Sequence, residues 1–99
     1  MPYEMTVGLY VDDNGKYAQY RAGIAPLLQA AGGKFRYDFD IARTLKGEAG
    51  HDINRLFVLQ FPDRDAKERF FSDPAYLEIR GRLFDKAVRD AAIIAEYPS

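Results

Sequence analysis

The stretch Leu56-Phe-Val-Leu-Gln-Phe-Pro-Asp-Arg-Asp-Ala-Lys-Glu-Arg-Phe-Phe-Ser-Asp-Pro-Ala-Tyr76 decides the fold. Its apolar run stops at Pro62, which cannot donate to a sheet ladder and so marks the end of a strand. Asp63 can accept the unpaired N–H groups that open a helix, and Ser72-Asp73-Pro74 ends that helix and starts another, with proline at the first helical position where its missing N–H costs nothing. In the strand, Arg55 to Phe61, the residues Leu56 and Val58 share one face while Phe57, Leu59 and Phe61 share the other. Apart from Gln60 both faces are apolar, so both are expected to be buried.

Upstream, Tyr3, Met5, Val7, Leu9 and Val11 alternate with Glu4, Thr6, Gly8 and Tyr10, the period of two of a first strand whose better core face carries the odd positions. Asp12-Asp13-Asn14-Gly15 interrupts it, and Asp13 or Asn14 can cap a helix from Lys16 to Ala31 with Tyr17, Tyr20, Ile24, Leu27, Leu28 and Ala31 on its buried face. Gly32-Gly33 ends that helix. Pro26 inside it predicts a kink or an early fray. Phe35, Tyr37, Phe39 and Ile41 then alternate with Arg36, Asp38, Asp40 and Ala42, a strand with one aromatic and one charged face. Leu45 to Asn54, rich in Gly, His and Asp, reads as a mobile hairpin connection. Downstream of Pro74, Tyr76, Ile79, Leu83, Phe84 and Ala87 form a helical stripe, and Asp90 to Tyr97 is a closing strand.

Strand, helix, two strands, a helix pair and a final strand make an α+β, ferredoxin-like βαββααβ order, here as a single domain over residues 1–99. Right-handed crossovers put all helices on one face of a four-stranded antiparallel sheet, with the first and third strands central. The other face is left uncovered. An apolar sheet face of several hundred Å² is rare in a soluble monomer, and a second copy of the chain is the simplest cover. The expected assembly is therefore a homodimer, a dimeric α+β barrel enclosing a cavity between two sheets.

The composition excludes several function classes. Fourteen Lys and Arg against fifteen Asp and Glu leave no excess of positive charge for nucleic acid or an anionic membrane. No segment approaches the ~20 apolar residues of a membrane span, and the start lacks the basic and apolar pattern of a signal peptide. The absence of Cys fits a reducing, cytoplasmic location.

Tyr17-Ala-Gln-Tyr20-Arg21, Pro26-Leu-Leu with Gly32-Gly33, Arg55-Leu-Phe-Val-Leu-Gln-Phe-Pro62 and Ser72-Asp-Pro-Ala-Tyr76, in that order and spacing, resemble an uncharacterised bacterial family catalogued as domain of unknown function 1330. The resemblance covers nearly the whole chain. It implies membership of the dimeric α+β barrel superfamily and no established activity. It also implies a basic, glycine-rich stretch after the double glycine, where this chain instead has Asp38-Phe-Asp40. The lack of Trp argues against similarity to the superfamily's haem-degrading and quinol monooxygenase branches.

No phosphate loop, zinc helix or Cys/His cluster is present, so no cofactor and no metal site are expected. His51 sits in a glycine-flanked loop with only Asp52 nearby and reads as a solvated histidine. Ser72 reads as a helix-capping residue and Ser99 is terminal, so neither suggests a nucleophile. No catalytic residue can be assigned. Candidate ligand contacts are Tyr10, Arg36, Asp38, Asp40 and Gln60. Strict alternation places the guanidinium of Arg36 beside the two carboxylates on the uncovered face, where Arg36 could grip a carboxylate or enolate oxygen and an Asp accept a proton. The competing and favoured reading is that an edge strand carries charges for solubility. Gln60 is read as a bridge between strands or subunits, or a ligand contact. Tyr17, Tyr20 and Tyr76 read as core residues whose hydroxyls need polar company, and Arg80 as a solvated charge within reach of a cavity mouth. Two functions follow: a site for a small polar molecule in or beside the dimer cavity, with cofactor-free chemistry, or a non-catalytic homodimeric interaction or accessory module. A pocket joining Tyr10, Arg36, Asp38 and Gln60 favours the first; a packed interface favours the second.

Overall fold

The computed structural model describes residues 1–98; Ser99 lies outside the described residues. The elements are β1 (Tyr3–Val11), α1 (Asn14–Ala30), β2 (Lys34–Asp40), β3 (Arg55–Phe61), α2 (Arg64–Ser72), α3 (Pro74–Ile79), a π-helical turn (Arg80–Phe84), α4 (Asp85–Ala87) and β4 (Val88–Pro98). The sheet order is β2-β3-β1-β4, with every neighbouring pair antiparallel. The fold is therefore ferredoxin-like, with the first and third strands central as the patterning requires.

Local chemistry sets the element ends. Asp13 accepts from the Lys16 N–H at 3.0 Å, Asp63 from Ala66 at 2.7 Å and Asp73 from Ala75 at 2.9 Å, so three aspartates cap three helices. The Ser72 hydroxyl donates to the Glu68 carbonyl at 2.8 Å and helps finish α2. Pro26 does not fray α1, which runs on to Ala30. The buried residues Ile24 and Leu28 bracket it and pack on the sheet, and this packing outweighs the one lost helical hydrogen bond. Gly32 closes the helix at φ 75°, with its N–H donating to Gln29 and that of Gly33 to Leu28.

One face of the sheet is covered. Met5, Val7 and Leu9 of β1 and Phe57, Leu59 and Phe61 of β3 pack against Tyr17, Tyr20, Ile24 and Leu28 of α1, Phe70 of α2 and Tyr76 of α3. The stripe predicted after Pro74 is present, and Leu83 and Ala87 stay buried across the π-helical turn.

The alternation read for β2 is overturned. Lys34 pairs with Gln60 and Phe35 with Leu59, but the register then shifts, so that Tyr37 faces Val58, Asp38 faces Phe57, Phe39 faces Leu56 and Asp40 faces Arg55. One extra residue, Arg36, is accommodated in a β-bulge, and every side chain beyond it changes face. Phe35 stays on the helix side, edge to face with Phe57 at 5.2 Å. Tyr37 and Phe39 move to the uncovered face, stacked at 6.1 Å and about half exposed.

The β2–β3 connection has an anchored return arm. Asn54 bonds both the N–H and the carbonyl of Val11, Ile53 donates to the Thr44 hydroxyl, and the Ile41 N–H donates to the Asn54 carbonyl. Ile53 lies on the uncovered face so close to Gly8 that a Cβ there would stand 2.6 Å from its Cδ1. Glycine is what lets the loop lie on the strand. The final strand is longer than expected, Val88–Pro98, and shifts register against β1 between Thr6 and Val7. Ile93 consequently stands opposite Val7 on the helix side, while Ile94 comes within reach of Gly8 on the other.

Candidate functional site

The five sequence-predicted contacts do not share a surface. Arg36 and Gln60 do meet, on the uncovered face, through a residue that alternation had placed there without a role. The Glu4 carboxylate, only 4 % exposed, accepts from Arg36 Nη1 at 2.8 Å and from Gln60 Nε2 at 3.1 Å. Gln60 thus bridges adjacent strands, and a carboxylate that would be costly to bury alone is matched by a cation and an amide. Tyr10 lies six residues along β1, roughly 20 Å away at strand spacing, beneath the Arg89 guanidinium at 4.7 Å.

Asp38 is on the opposite side, because of the bulge. It accepts from Arg21 Nη2 at 2.7 Å and from Arg55 Nε and Nη2 at 2.9 and 3.0 Å. Partial burial pushes its carboxyl up, but the two guanidiniums outweigh this and hold it below the usual carboxylate range. Arg21 is fixed further by donating to the Tyr17 hydroxyl at 3.0 Å and by lying 3.7 Å from the Phe35 ring centroid. Asp40 is almost fully exposed and only 3.7 Å from Arg55. The expected cluster of Arg36 with Asp38 and Asp40 is therefore absent. Asp38 is instead the clamp of a two-arginine group beside α1.

Apart from an open cleft of about 600 Å³ lined by Arg21, Asp40 and Arg55, an apolar space lies between the helices and the sheet of one chain. It is a cavity of about 290 Å³ whose floor is Met5, Val7, Leu9, Phe57 and Leu59 and whose roof is Tyr17, Tyr20, Ile24, Phe70, Tyr76 and Phe84. Its mouth lies at the β4 edge, where Ala91, Ile93 and Arg80 line the cavity and are also exposed, Ile93 by 56 %. Lys67 of α2 joins the lining. It contacts Glu96 at 2.7 Å, and Glu96 accepts from the Tyr3 hydroxyl at 3.0 Å. The Lys67 bond is the main reason the Glu96 carboxyl sits below its ordinary range.

Within these apolar walls the hydroxyls of Tyr20 and Tyr76 lie 3.1 Å apart. Burial, then the neighbouring Tyr76 hydroxyl, push the Tyr20 phenol far above its ordinary value. Burial likewise raises Tyr17, against the opposing charge of Arg21. Both are neutral hydrogen-bonding groups at any physiological pH. The Tyr20–Tyr76 contact uses one of its two hydroxyl protons, which leaves the other for an oxygen acceptor. Among the described residues the lining holds no carboxylate and no imidazole. This arrangement can position and polarise a carbonyl or hydroxyl, and it offers no ready general base.

The sequence marks Tyr20 and Tyr76 as rings whose hydroxyls need company. Nothing local says that they keep each other's, because they are 56 positions apart. Among the described residues no group of three or more His, Cys, Asp or Glu side chains is placed to hold a metal ion. His51 keeps its Nδ1 2.8 Å from the Asp52 carbonyl, and its Nε2 is buried with no hydrogen-bond partner among the described residues. Among the described residues no helix is long and apolar enough to cross a membrane.

The architecture is similar to several solved structures. A protein of unknown function from Rhodopseudomonas palustris is 20 % identical with a TM-score of 0.83, over 99 % of this chain and 82 % of that one. A Dabb family protein with a ferredoxin-like fold from Mesorhizobium loti is 16 % identical with a TM-score of 0.69, over 99 % and 96 % of the two chains. A protein from Bacteroides fragilis described as dimeric, of unknown function and ferredoxin-like, is 13 % identical with a TM-score of 0.62, again over 99 % and 96 %. At these identities the likeness is one of fold. No curated protein matches the chain. Residues 5–97 match the family described as Domain of unknown function (DUF1330).

Proposed function

The chain belongs to the DUF1330 family, and from that premise we propose that it is a homodimeric binding protein that holds one small, largely apolar molecule with an oxygen acceptor in the cavity of each protomer. The observation that carries this reading is the Tyr20–Tyr76 hydroxyl pair inside an apolar cavity of about 290 Å³. Such a volume is at the lower end of the range for ligand pockets, roughly 300–1,000 Å³, and a few polar groups in an apolar lining are what such pockets use to orient their contents. The missing carboxylate and imidazole favour binding and positioning over proton-transfer catalysis.

Support for the dimer comes from the uncovered sheet face. Tyr37, Phe39, Ile94 and Tyr97 are all 42–53 % exposed, around the satisfied Glu4 group. A second copy would cover these rings, and one of the similar solved structures is described as dimeric. Residues 1–99 are read as a single domain, and their lack of Cys favours a cytoplasmic location.

The test combines light scattering with binding of acetophenone, a ring bearing one carbonyl. Acetophenone should raise the melting temperature saturably, and Ala91→Phe, which places a ring at the mouth on an exposed edge strand, should abolish the rise without unfolding the chain. A monomeric mass at micromolar concentration would remove the dimer from the proposal. An unchanged melting temperature with acetophenone and with phenol would remove the cavity ligand.

A further inference from the structure

The charges around the cavity are one-sided. Of the described residues that line it, only Lys67 and Arg80 are charged, and both are cations. Lys67 is held by Glu96 at 2.7 Å, so its charge is balanced from outside the lining. Arg80 is held more loosely. Its ion-pair partner Asp85 stands 3.7 Å from Nε, beyond hydrogen-bond distance and itself more than half exposed, and among the described residues no hydrogen bond engages the guanidinium, so its N–H donors are open to a ligand. Phe84 holds the group in place, with the Arg80 guanidinium carbon 5.3 Å from the ring centroid. The side chain is about half exposed at the mouth, and its charge reaches inward far enough to oppose the upward shift of the Tyr20 phenol's pKa.

Resting on the binding function proposed above, we infer that the natural ligand class is an apolar or aromatic monocarboxylate, with its ring or chain in the cavity and its carboxylate on the Arg80 guanidinium at the mouth. A guanidinium offers a planar fork of N–H donors that matches a carboxylate with two parallel hydrogen bonds. The apolar wall on the inner side lowers the local dielectric and strengthens that contact relative to one in water. The phenol pair deeper in the cavity then reads a second oxygen on the same ligand where one is present. An anionic ligand also fits the lining's lack of any carboxylate, since nothing there repels it.

The experiment compares 3-phenylpropionate with 3-phenylpropanol, the same ring and chain ending in a neutral hydroxyl, by calorimetric titration into the dimer near neutral pH, where the acid is ionised. The carboxylate should bind about tenfold more tightly than the alcohol. Arg80→Gln should bring the carboxylate down to the alcohol's affinity and leave the alcohol unchanged, while Lys67→Gln should preserve the preference. Raising the salt concentration should narrow the gap in the wild type and not in Arg80→Gln. Equal affinity for the two compounds in the wild type would overturn the anion inference while leaving the binding function standing. So would a loss of preference in Lys67→Gln instead of Arg80→Gln. If neither compound binds, and acetophenone does not either, the binding function falls and the inference with it.

Discussion

The two faces of this sheet carry similar numbers of large side chains and dispose of them in opposite ways. On the helix side, Met5, Val7, Leu9, Phe57, Leu59 and Phe61 are buried by the chain's own helices, the phenols of Tyr20 and Tyr76 bond each other deep among them, and the charged pairs stay toward the margins. On the other side, a carboxylate is buried against a guanidinium and an amide, while Tyr37 and Phe39 stand half exposed around it. A surface completed within one chain can keep an apolar cavity of its own, since no second copy is needed to form its walls. A surface that awaits a second copy needs its own polar groups satisfied beforehand, because the monomer must stay soluble until it pairs.

The largest effect that should separate the faces comes from one aromatic on each. Phe61 is 1 % exposed beneath α2, and Phe61→Ala should cost about 3–5 kcal/mol in urea denaturation of the dilute protein, whereas Tyr37→Ala should cost under about 1 kcal/mol there. Equal losses would mean that the uncovered face is already packed within one chain. A smaller effect tests the polar group. Arg36→Ala leaves a buried Glu4 with less compensation and should cost about 1–3 kcal/mol, and Glu4→Leu combined with Arg36→Leu should recover most of it. If the double variant is no better than the single, the group contributes more than mutual neutralisation.

The smallest effect concerns pH. Because the folded Asp38 carboxyl lies below its ordinary range, the fold favours the ionised form. Its stabilisation is therefore complete above the unfolded value of about 4 and fades as pH falls through the lower folded value. Asp38→Asn should lose about 1 kcal/mol near neutral pH, a figure already discounted for solvent screening, and nothing at about pH 2. Urea midpoints measured across that interval should show a flatter acid limb, and an unaltered limb would mean that the Arg21–Asp38–Arg55 clamp adds no net stability.

Much of the scaffold was legible because it depends on near neighbours in the chain. Alternation assigns the faces of β1 and β3 correctly, and Asp13, Asp63 and Asp73 cap their helices within three residues of themselves. The candidate site was less legible. Alternation puts Arg36 and Gln60 on the right face but gives no sign of their shared partner Glu4, since a carboxylate on an alternating strand looks solvated until a neighbouring strand covers it. Alternation puts Asp38 on the wrong face because it assumes one residue per pleat. The bulge at Arg36 has no local signal, with neither Gly nor Pro beside it.

The sequence by itself determined the order of elements, the caps and the covered face of the central strands, all of which follow from backbone period and from side chains reaching their own neighbours. Only the tertiary structure decided the rest. The register of β2 against β3 moved Asp38 to one side and Tyr37 and Phe39 to the other. The meeting of α1 and α3 paired the hydroxyls of Tyr20 and Tyr76 inside a cavity, and the π-helical turn set Arg80 at its mouth. These outcomes depend on contacts between residues tens of positions apart, where the free energy of packing the whole layer overrides what any short stretch prefers.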